Sequence, residues 1–384
     1  MDINNVDLAG LFSRPFGDYE QGIRKSFPDP FLFIDVKLPV VIYGAGRMGR
    51  LFRKNLCARG ISIAAFSDSN SLLWGKLIDG VTVVSPQQLQ QFSDASILVA
   101  SLVYETEIYE LLKRMGLKLV YPLSFLNFNY PQIFISPEYS NVFNSLFVSD
   151  NQAAIRSVYN MLADEQSRCV FLNLIKFRLT FDKKYIRCIQ SDSKRQYFDD
   201  LVLPLSNDEV FFDCGAYTGD TLERFCYFSN NQFRKIYAFE PDRNNYLQLL
   251  KEVTRIGSDR IAPVNKGVYR YSGEASFLEE GAVDSKITLE NDSNRLPVIS
   301  IDDFCHNHDI PTYIKMDIEG SELGALEGAQ QVIQTAKPKL AIAIYHKATD
   351  LWQIPLLIKR FNNDYRLFLR HYTPEIIDTV CYAL

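Results

Sequence analysis

Twice along this chain, a short apolar strand runs directly into a glycine turn that opens a helix. The first instance spans residues 39–59 and the second spans residues 209–229. Strands that alternate with helices need crossover connections, which place the strands in a parallel sheet covered by helices on both faces. Two separate instances within 384 residues indicate two such domains. We therefore predict an α/β protein with two Rossmann-like domains.

The same alternation divides the chain into segments. We interpret them in order as an irregular leader (1–37), a first α/β domain (38–127), a helical connector (128–205) and a second α/β domain (206–384). Near the end of the second domain, the predicted strands 365–369 and 376–382 are joined by a short turn. Because strands without a crossover between them must be antiparallel, we expect a hairpin to close the second sheet.

Composition limits the classes of partner and compartment. The net charge of -5 argues against binding of nucleic acid, which requires an excess of Lys and Arg. Seven cysteines occur without any C-x-x-C pair, so neither a disulfide framework nor a zinc cluster is indicated. The first twenty residues do not form a secretory signal, and no run of apolar residues is long enough to span a membrane. We expect a cytoplasmic protein and leave homo-oligomerisation open.

The second glycine turn is the more informative one. Asp213, Gly215 and Gly219 follow an apolar strand with the spacing D-x-G-x-x-x-G, which differs from a dinucleotide fingerprint. An acid in the turn would repel a pyrophosphate but suits a cationic ligand. Glu240 ends the next strand, where a carboxylate can accept hydrogen bonds from both hydroxyls of a ribose. Together these features describe a site for S-adenosylmethionine.

This turn and several later motifs resemble those of the FkbM family of methyltransferases. The motifs, in chain order, are Phe212–Thr221, Ala238–Pro241, Ser300–Phe304, Ile314–Glu322 and Leu326–Ala329. The resemblance covers residues 205–384 and implies a class I methyltransferase sheet, S-adenosylmethionine as cofactor, and methylation of a hydroxyl on a sugar or natural product. The predicted cofactor-binding residues are Asp213, Gly215, Ala216, Tyr217, Thr218, Gly219, Glu240, Pro241, Asn265 and Lys266.

The catalytic candidates lie beyond the carboxyl ends of the fourth and fifth predicted parallel strands, where open sheets bind ligands. They are Lys315, Asp317, Glu319 and His346. Asp317 fits a base, a metal ligand, a partner that orients a histidine, or a cap of the next helix. Since neighbouring strands lie about 4.8 Å apart, we expect Asp317 and His346 to form either an acid–base pair, with neutral His346 as the base, or a divalent metal centre.

Two weaker candidates contain the remaining histidines. Arg370, His371 and Tyr372 are predicted to occupy the turn of the final hairpin, at the same edge of the sheet. His306 and His308 form an H-x-H pair, for which a solvated loop is a better interpretation than a metal site.

The first glycine turn contains Gly44, Gly46 and Gly49 in the pattern G-x-G-x-x-G, with Asp68 about one strand further on. Residues 40–90 also resemble the nucleotide-sugar-binding domains of bacterial sugar acyltransferases, through Phe66–Asn70, Gly75-Lys76 and Asp79–Val83. That resemblance implies a nucleotide-sugar ligand. The alternative is a module used only for packing or dimerisation.

The sequence therefore predicts an S-adenosylmethionine-dependent O-methyltransferase that acts on a sugar or a glycan precursor. One alternative is an NAD-dependent oxidoreductase that uses the first glycine turn, with Tyr109 and Lys113 at the Tyr-x-x-x-Lys spacing. We disfavour NAD because the first domain leaves little room for a separate substrate pocket. The other alternative is a non-catalytic binding protein with a methyltransferase fold, which the intact set of Asp213, Gly215, Gly219 and Glu240 argues against.

Overall fold

A computed structural model describes residues 5–26, 38–101, 104–134, 145–276 and 295–384. The chain divides into two compact units, and each unit contains two stretches of sequence. The first unit is Met1–Asp150 with Ile175–Lys183, and the second is Asn151–Leu174 with Lys184–Leu384. Residues 128–205, interpreted above as a connector, are therefore shared between the units.

The first unit contains a six-stranded sheet. Its strands are β1 (Val40–Tyr43), β2 (Ile63–Ser67), β3 (Leu77–Ile78), β4 (Val81–Val84), β5 (Ser96–Val99) and β6 (Val120–Tyr121). Their order is β3-β4-β2-β1-β5-β6, and all neighbours are parallel except β3 and β4. Both β1 and β5 are buried along their whole length, which explains why they read as continuous apolar runs.

Helices precede, separate and follow these strands along the chain, and the first two lie within the predicted leader. They are α1 (Leu8–Ser13), α2 (Phe16–Ser26), α3 (Arg47–Cys57), α4 (Glu105–Arg114), α5 (Leu123–Asn129), α6 (Pro131–Phe134) and α7 (Ser145–Asp150). The prediction of an irregular leader is wrong for α1 and α2. Asp7 caps α1 by accepting a hydrogen bond from the Gly10 backbone N–H, and Pro15 precedes α2 instead of interrupting it. Residues 27–37 lie outside the described part of the chain.

The second unit is built on a seven-stranded sheet. Its strands are β7 (Val210–Cys214), β8 (Lys235–Phe239), β9 (Ile261–Val264), β13 (Tyr313–Met316), β14 (Lys339–Ala343), β15 (Leu367–His371) and β16 (Thr379–Ala383). The order is β15-β16-β14-β13-β7-β8-β9, and β16 is the one strand that runs opposite to the other six. The predicted mostly parallel sheet closed by a hairpin is confirmed.

A small second sheet and nine helices complete this part of the description. The small sheet has the order β10 (Gly267–Val268), β12 (Arg295–Ile299), β11 (Gly273–Ser276). The helices are α8 (Gln152–Met161), α9 (Glu165–Thr180), α10 (Lys184–Arg187), α11 (Asp220–Phe228), α12 (Arg243–Ile256), α13 (Ile301–Phe304), α14 (Glu322–Glu327), α15 (Gln330–Thr335) and α16 (Asp350–Phe361). Among the described residues, no helix combines the length and the apolar character needed to cross a membrane.

Stacked aromatic rings fix the central strands of the second unit. Phe211 on β7 lies 4.4 Å from the Phe225 ring on α11 and 4.8 Å from the Tyr313 ring on β13. All three side chains are fully buried. Burial of such large rings supplies about 1.5–3 kcal/mol each, so this cluster holds the strand ends that form the site.

The final hairpin corrects one group of predicted site residues. Arg370 and His371 belong to β15 instead of the turn, because β15 stays paired with β16 as far as His371 and Thr379. Arg370 is buried and binds Asp164 at 2.8 Å, and buried Tyr372 donates a hydrogen bond to Asp199. None of the three predicted residues lines the cavity described below.

Candidate active site

A cavity of 590 Å³ opens at the carboxyl ends of β7, β8 and β13. Its wall includes Gly215 and Tyr217 after β7, Glu240 after β8, and Asp317 after β13. Carboxyl ends of parallel strands are where open α/β sheets bind their ligands. The volume is in the range of small-molecule and cofactor pockets.

The turn after β7 requires glycine at two positions for different reasons. Gly215 has a φ of 84°, and a Cβ there would lie 1.9 Å from the backbone oxygen of Asp317. Gly219 has a φ of 97°, but its missing Cβ would meet Glu252 on α12 and it does not line the cavity. Gly215 therefore permits a close approach of two loops at the cavity, whereas Gly219 permits helix packing and not the predicted approach to a ligand.

Asp213 and Lys315, which were predicted to bind the cofactor and to take part in catalysis, form a buried ion pair. The Lys315 Nζ lies 2.9 Å from Asp213 Oδ1 and donates to the Gly215 backbone oxygen at 2.7 Å. Asp213 is fully buried and is not among the residues of the cavity wall. Burial lowers the pKa of Lys315, but the negative charges of Asp213 and Asp317 raise it by more. The ammonium therefore stays charged and holds the glycine loop.

Glu240 stands at the cavity with both carboxylate oxygens partly used. Its Oε2 accepts from the Tyr217 backbone N–H at 3.0 Å, and its Oε1 accepts from the Asp242 N–H at 2.8 Å. Burial raises the pKa of Glu240, while these backbone donors lower it. Each carboxylate oxygen retains acceptor capacity, which suits the two hydroxyls of a ribose.

The other predicted cofactor residues divide between the cavity wall and its support. Pro241 lines the wall with Gly215, Tyr217 and Glu240. Asn265 supports the end of β8 by donating to the Glu240 and Pro241 backbone oxygens. The predicted residues outside the wall are Asp213, Ala216, Thr218, Gly219, Asn265 and Lys266.

Asp317 faces the cavity between two tyrosine hydroxyls. Tyr197 donates to Asp317 Oδ2 at 2.7 Å, and Tyr345 donates to Asp317 Oδ1 at 3.1 Å. The backbone of Tyr197 is held on both sides of its Cα, because its N–H donates to the Tyr382 hydroxyl and its carbonyl accepts from the Tyr313 hydroxyl. The carboxylate of Asp317 is therefore fixed in orientation while it remains accessible from the cavity.

His346 lies behind Asp317, as the strand spacing predicts. Its Nε2 is 3.4 Å from Asp317 Oδ1 and 3.6 Å from Glu319 Oε2, and its Nδ1 is 2.9 Å from Glu322 Oε1. Burial lowers the pKa of His346, but Glu322, Asp317 and Glu319 raise it more, to about 10. A raised pKa favours the protonated imidazole near neutral pH, which argues against the predicted role of neutral His346 as the base.

Several cavity residues carry no signal that the sequence analysis used. Four non-glycine residues of the wall have positive φ, namely Tyr197 (67°), Tyr217 (47°), Glu319 (55°) and Asp378 (64°). This conformation costs roughly 1–2 kcal/mol for a residue with a Cβ and is concentrated at functional sites. In the sequence analysis, Glu322 belonged to the Ile314–Glu322 motif but was assigned no role. Tyr197 was placed in the helical connector and Asp378 in a strand, and neither was a site candidate.

In the first unit, the glycine motif is shaped mainly by packing. A Cβ at Gly44 would lie 2.8 Å from the Ala100 oxygen, and a Cβ at Gly49 would lie 1.9 Å from the Gly44 oxygen. Gly46 has open space around it. Asp68 accepts from the Ala45 and Asn70 backbone N–H groups, both at 2.8 Å, and thereby braces the loop.

The geometry does not support a catalytic role for Tyr109 and Lys113 or a metal site at His306 and His308. Burial raises the pKa of Tyr109, whereas a catalytic tyrosine needs a lowered one, and Lys113 donates to the Lys118 carbonyl. His308 stacks on Phe304 at 3.9 Å, and His306 is mostly exposed. The H-x-H pair is thus split between a packed ring and a solvated one.

Comparison with known proteins gives two family matches along the chain. Residues 213–376 match the methyltransferase FkbM domain, and residues 36–119 match the family described as C2185-like, N-terminal. The crystal structure of methyltransferase FkbM from Methylobacillus flagellatus KT covers 98% of this chain and 100% of its own, with a TM-score of 0.76 and 24% identity. This likeness shows a shared fold.

A curated relative is similar over a shorter stretch. The hexuronic acid methyltransferase AglP of Haloferax volcanii is 26% identical over 155 residues, which is 39% of this chain and 61% of AglP. The chain thus spans less than two thirds of that relative's length. Together, the ordered motifs, the sheet with its single reversed strand and the family match show that residues 213–376 of this chain belong to the FkbM family of methyltransferases.

Proposed function

We propose that this protein is an S-adenosylmethionine-dependent O-methyltransferase that acts on a hydroxyl of a sugar or glycan precursor. The observation that carries the proposal is the pairing, in one cavity, of Glu240 beside a glycine turn with Asp317 between two tyrosine hydroxyls. The first group suits a nucleoside, and the second suits an acceptor hydroxyl. A cavity of 590 Å³ offers room for both at a methyl-transfer distance.

The residues around the glycine turn fit the cofactor. Gly215 lines the cavity at a tight turn that brings its loop against the Asp317 backbone, and Glu240 offers two fixed acceptor oxygens for a ribose. When bound, S-adenosylmethionine supplies an electrophilic methyl group, and its sulfur keeps the electron pair of the broken carbon–sulfur bond. The ion pair of Lys315 with Asp213 holds the loop in the shape that receives it.

Asp317 is the residue we assign to the acceptor. As the acceptor oxygen bonds to the methyl carbon, its proton passes to a carboxylate oxygen of Asp317. Tyr197 and Tyr345 orient that carboxylate, and the His346 imidazole lies behind it at 3.4 Å. A positioned base of this kind contributes about 10²–10⁴-fold to rate.

A sugar acceptor is favoured by the relative whose name specifies one. AglP is described as a hexuronic acid methyltransferase. In the first unit, the open position at Gly46 beside the N-terminus of α3 leaves space for a phosphate. A nucleotide-linked sugar is therefore the first acceptor class to test.

The proposal is tested by substituting Glu240 and Asp317 separately. Glu240→Ala removes a charged acceptor worth roughly 1.5–3 kcal/mol per hydrogen bond, so we expect S-adenosylmethionine affinity to fall about tenfold or more in calorimetry. Glu274→Ala, which alters a largely exposed acid, is the control. Unchanged affinity of the Glu240→Ala protein would refute the ribose assignment.

Asp317→Asn addresses the acceptor side. We expect it to lower transfer of a labelled methyl group to a responsive nucleotide sugar by about 100-fold, with S-adenosylmethionine affinity close to the unaltered value. The unaltered protein is first screened against a panel of nucleotide sugars and free hexuronic acids. Methyl transfer at the normal rate by Asp317→Asn would remove Asp317 from the proposed role.

A further inference from the structure

Behind the cavity wall, three side chains from two loops and a helix converge. Asp317 follows β13, Glu322 begins α14 and His346 follows β14. Each can present one donor atom, and these atoms all lie within 4.8 Å of one another. Glu322 is fully buried and His346 is 93% buried, given its exposed fraction of 7%.

Two atoms of this group are buried without a hydrogen-bond partner. They are Oε2 of Glu322 and Nδ1 of His346. Nδ1 has only the ion-pair contact with Glu322 Oε1 at 2.9 Å, and that oxygen already accepts from the Ile318 N–H. Leaving a buried polar atom unsatisfied costs about 1–3 kcal/mol, and more when it belongs to a charged group. Both unsatisfied atoms belong to metal-ligating side chains.

The surrounding charge also favours a cation. Glu319 places Oε2 at 3.6 Å from His346 Nε2, on the exposed side of the group. Asp350 is buried nearby, with Oδ2 accepting from the Lys347 N–H. The Lys315 ammonium interacts electrostatically with Asp317, but its hydrogen bonds go to Asp213 and to the Gly215 backbone oxygen. Several carboxylates thus surround one imidazole.

We propose that Asp317, Glu322 and His346 bind a divalent cation at the back of the acceptor site. A set of carboxylate oxygens with one imidazole nitrogen suits Mn²⁺ or Mg²⁺ better than a soft metal, which prefers thiolates. Oδ1 of Asp317, the oxygen nearer to His346, serves the cation, and Oδ2 remains for the acceptor. Glu319 supplies a further oxygen from the exposed side.

The role of the cation rests on the proposed function. Neighbouring hydroxyls of a sugar can chelate a cation, which would fix the acceptor oxygen beside Asp317. A cation at that oxygen also polarises the hydroxyl and makes its proton easier to remove. The cation site itself depends only on the three side chains and can be tested without any acceptor.

The first experiment measures binding of Mn²⁺ to the full chain after chelation and dialysis. We expect electron paramagnetic resonance to show one tightly bound Mn²⁺ per chain, displaced by excess Mg²⁺. The Glu322→Gln and Asp317→Asn proteins should each bind about 10–100-fold more weakly. Glu327→Gln is the matched control, because Glu327 lies on the same helix but is half-exposed and pairs with Arg270.

Glu319→Gln covers the case in which the buried variants do not fold, since Glu319 is mostly exposed and its loss should still weaken Mn²⁺ binding severalfold. Absence of Mn²⁺, Mg²⁺ and Zn²⁺ binding to the unaltered chain, or equal affinity in all variants, would overturn the cation site. S-adenosylmethionine calorimetry on the same samples separates the two proposals. Loss of cofactor binding with retained Mn²⁺ binding would contradict the function and not the cation site, and the reverse result would contradict only the cation site.

Discussion

Tyr197 shows how one hydroxyl can set the orientation of a carboxylate in the cavity. It donates to Asp317 at 2.7 Å, and the local backbone is held with a φ of 67° by hydrogen bonds to two other tyrosines. A residue held in an unfavourable conformation by its surroundings is a mark of a functional position. Under the proposed function, the hydroxyl acts on the reaction through Asp317, which would make Tyr197 a positioning residue.

We therefore predict that Tyr197→Phe lowers kcat by about tenfold, because a hydrogen bond to a charged group is worth roughly 1.5–3 kcal/mol. S-adenosylmethionine affinity should not change, and Tyr345→Phe should have a smaller effect through its longer hydrogen bond of 3.1 Å. Tyr227→Phe, at an exposed ring, is the control. Steady-state kinetics with both substrates would show the effect, and an unaltered kcat in Tyr197→Phe would contradict it.

His371 gives the protein a pH-dependent stability. It is fully buried, with Nδ1 bonded to Thr379 at 2.8 Å and Nε2 without a partner. Burial lowers the pKa of His371 to about 4, although the Glu375 and Thr373 backbones oppose the shift. The unfolded chain therefore binds a proton that the folded chain refuses between about pH 6.5 and pH 4, so stability falls as the pH falls through that window.

The expected loss from this one group is about 2 kcal/mol between pH 7.5 and pH 5. His371→Asn should remove that part of the loss, while His306→Asn, at an exposed histidine, should not. Urea unfolding of the three proteins at both pH values measures the difference. If the unaltered chain and His371→Asn lose the same free energy of unfolding, His371 is not the source.

At the scale of elements, the turn after β7 and the loop after β13 limit each other. The Gly215 Cα approaches the Asp317 carbonyl so closely that a Cβ would lie 1.9 Å from it. The loop after β13 contains two consecutive positive φ values, at Glu319 and Gly320. The turn after β7 and the loop after β13 therefore constrain each other, and Lys315 on β13 also donates to the Gly215 backbone oxygen in the first of these loops.

Gly215→Ala should destabilise the fold by about 3 kcal/mol, from the cost of a positive φ and from the clash together. Gly257→Ala is the control, because Gly257 has a φ of 72° but open space, and it should cost only about 1 kcal/mol. Denaturant unfolding compares the two, and S-adenosylmethionine binding should be lost only at Gly215. Equal effects on unfolding would mean that the loops separate easily.

At the scale of the whole molecule, each unit has its own parallel sheet and its own glycine turn. The two turns differ in how much room they leave. Gly44 and Gly49 are required by backbone packing, whereas Gly46 has no atom within contact distance of an added Cβ and a φ of -78°. A larger residue at position 46 is thus compatible with the fold and changes only the space beside the loop.

If the first unit binds a nucleotide sugar, Gly46→Val should abolish that binding, because the branched side chain fills the space that phosphates need. S-adenosylmethionine affinity should be unaltered, since the second unit has a separate cavity. Calorimetry with UDP-glucose and with S-adenosylmethionine measures both. Unaltered UDP-glucose affinity in Gly46→Val would contradict the prediction, and the absence of binding to either protein would favour a packing role for the turn.

The sequence by itself determined the parts of this protein that depend on local pattern. Apolar runs, glycine spacing and the missing crossover before β16 predicted the parallel sheet and its closing hairpin. Contacts between the ends of successive strands also depend on local pattern. An example is the Tyr217 N–H, which donates to the Glu240 carboxylate 23 residues away. The meeting of Asp317 with His346 was predictable for the same reason, because consecutive parallel strands end at a common edge.

Only the tertiary structure decided how distant side chains pair and which groups remain accessible. Tyr197 reaches Asp317 across 120 residues, and Lys315 neutralises Asp213 across 102. Periodicity reports which face of an element is buried, but the partner of a buried charge depends on strand register and on the path of loops. Burial and neighbouring carboxylates then set the charge on His346, and burial excludes a proton from His371. The sequence thus fixes where the strands end, whereas packing fixes what the residues at those ends can do.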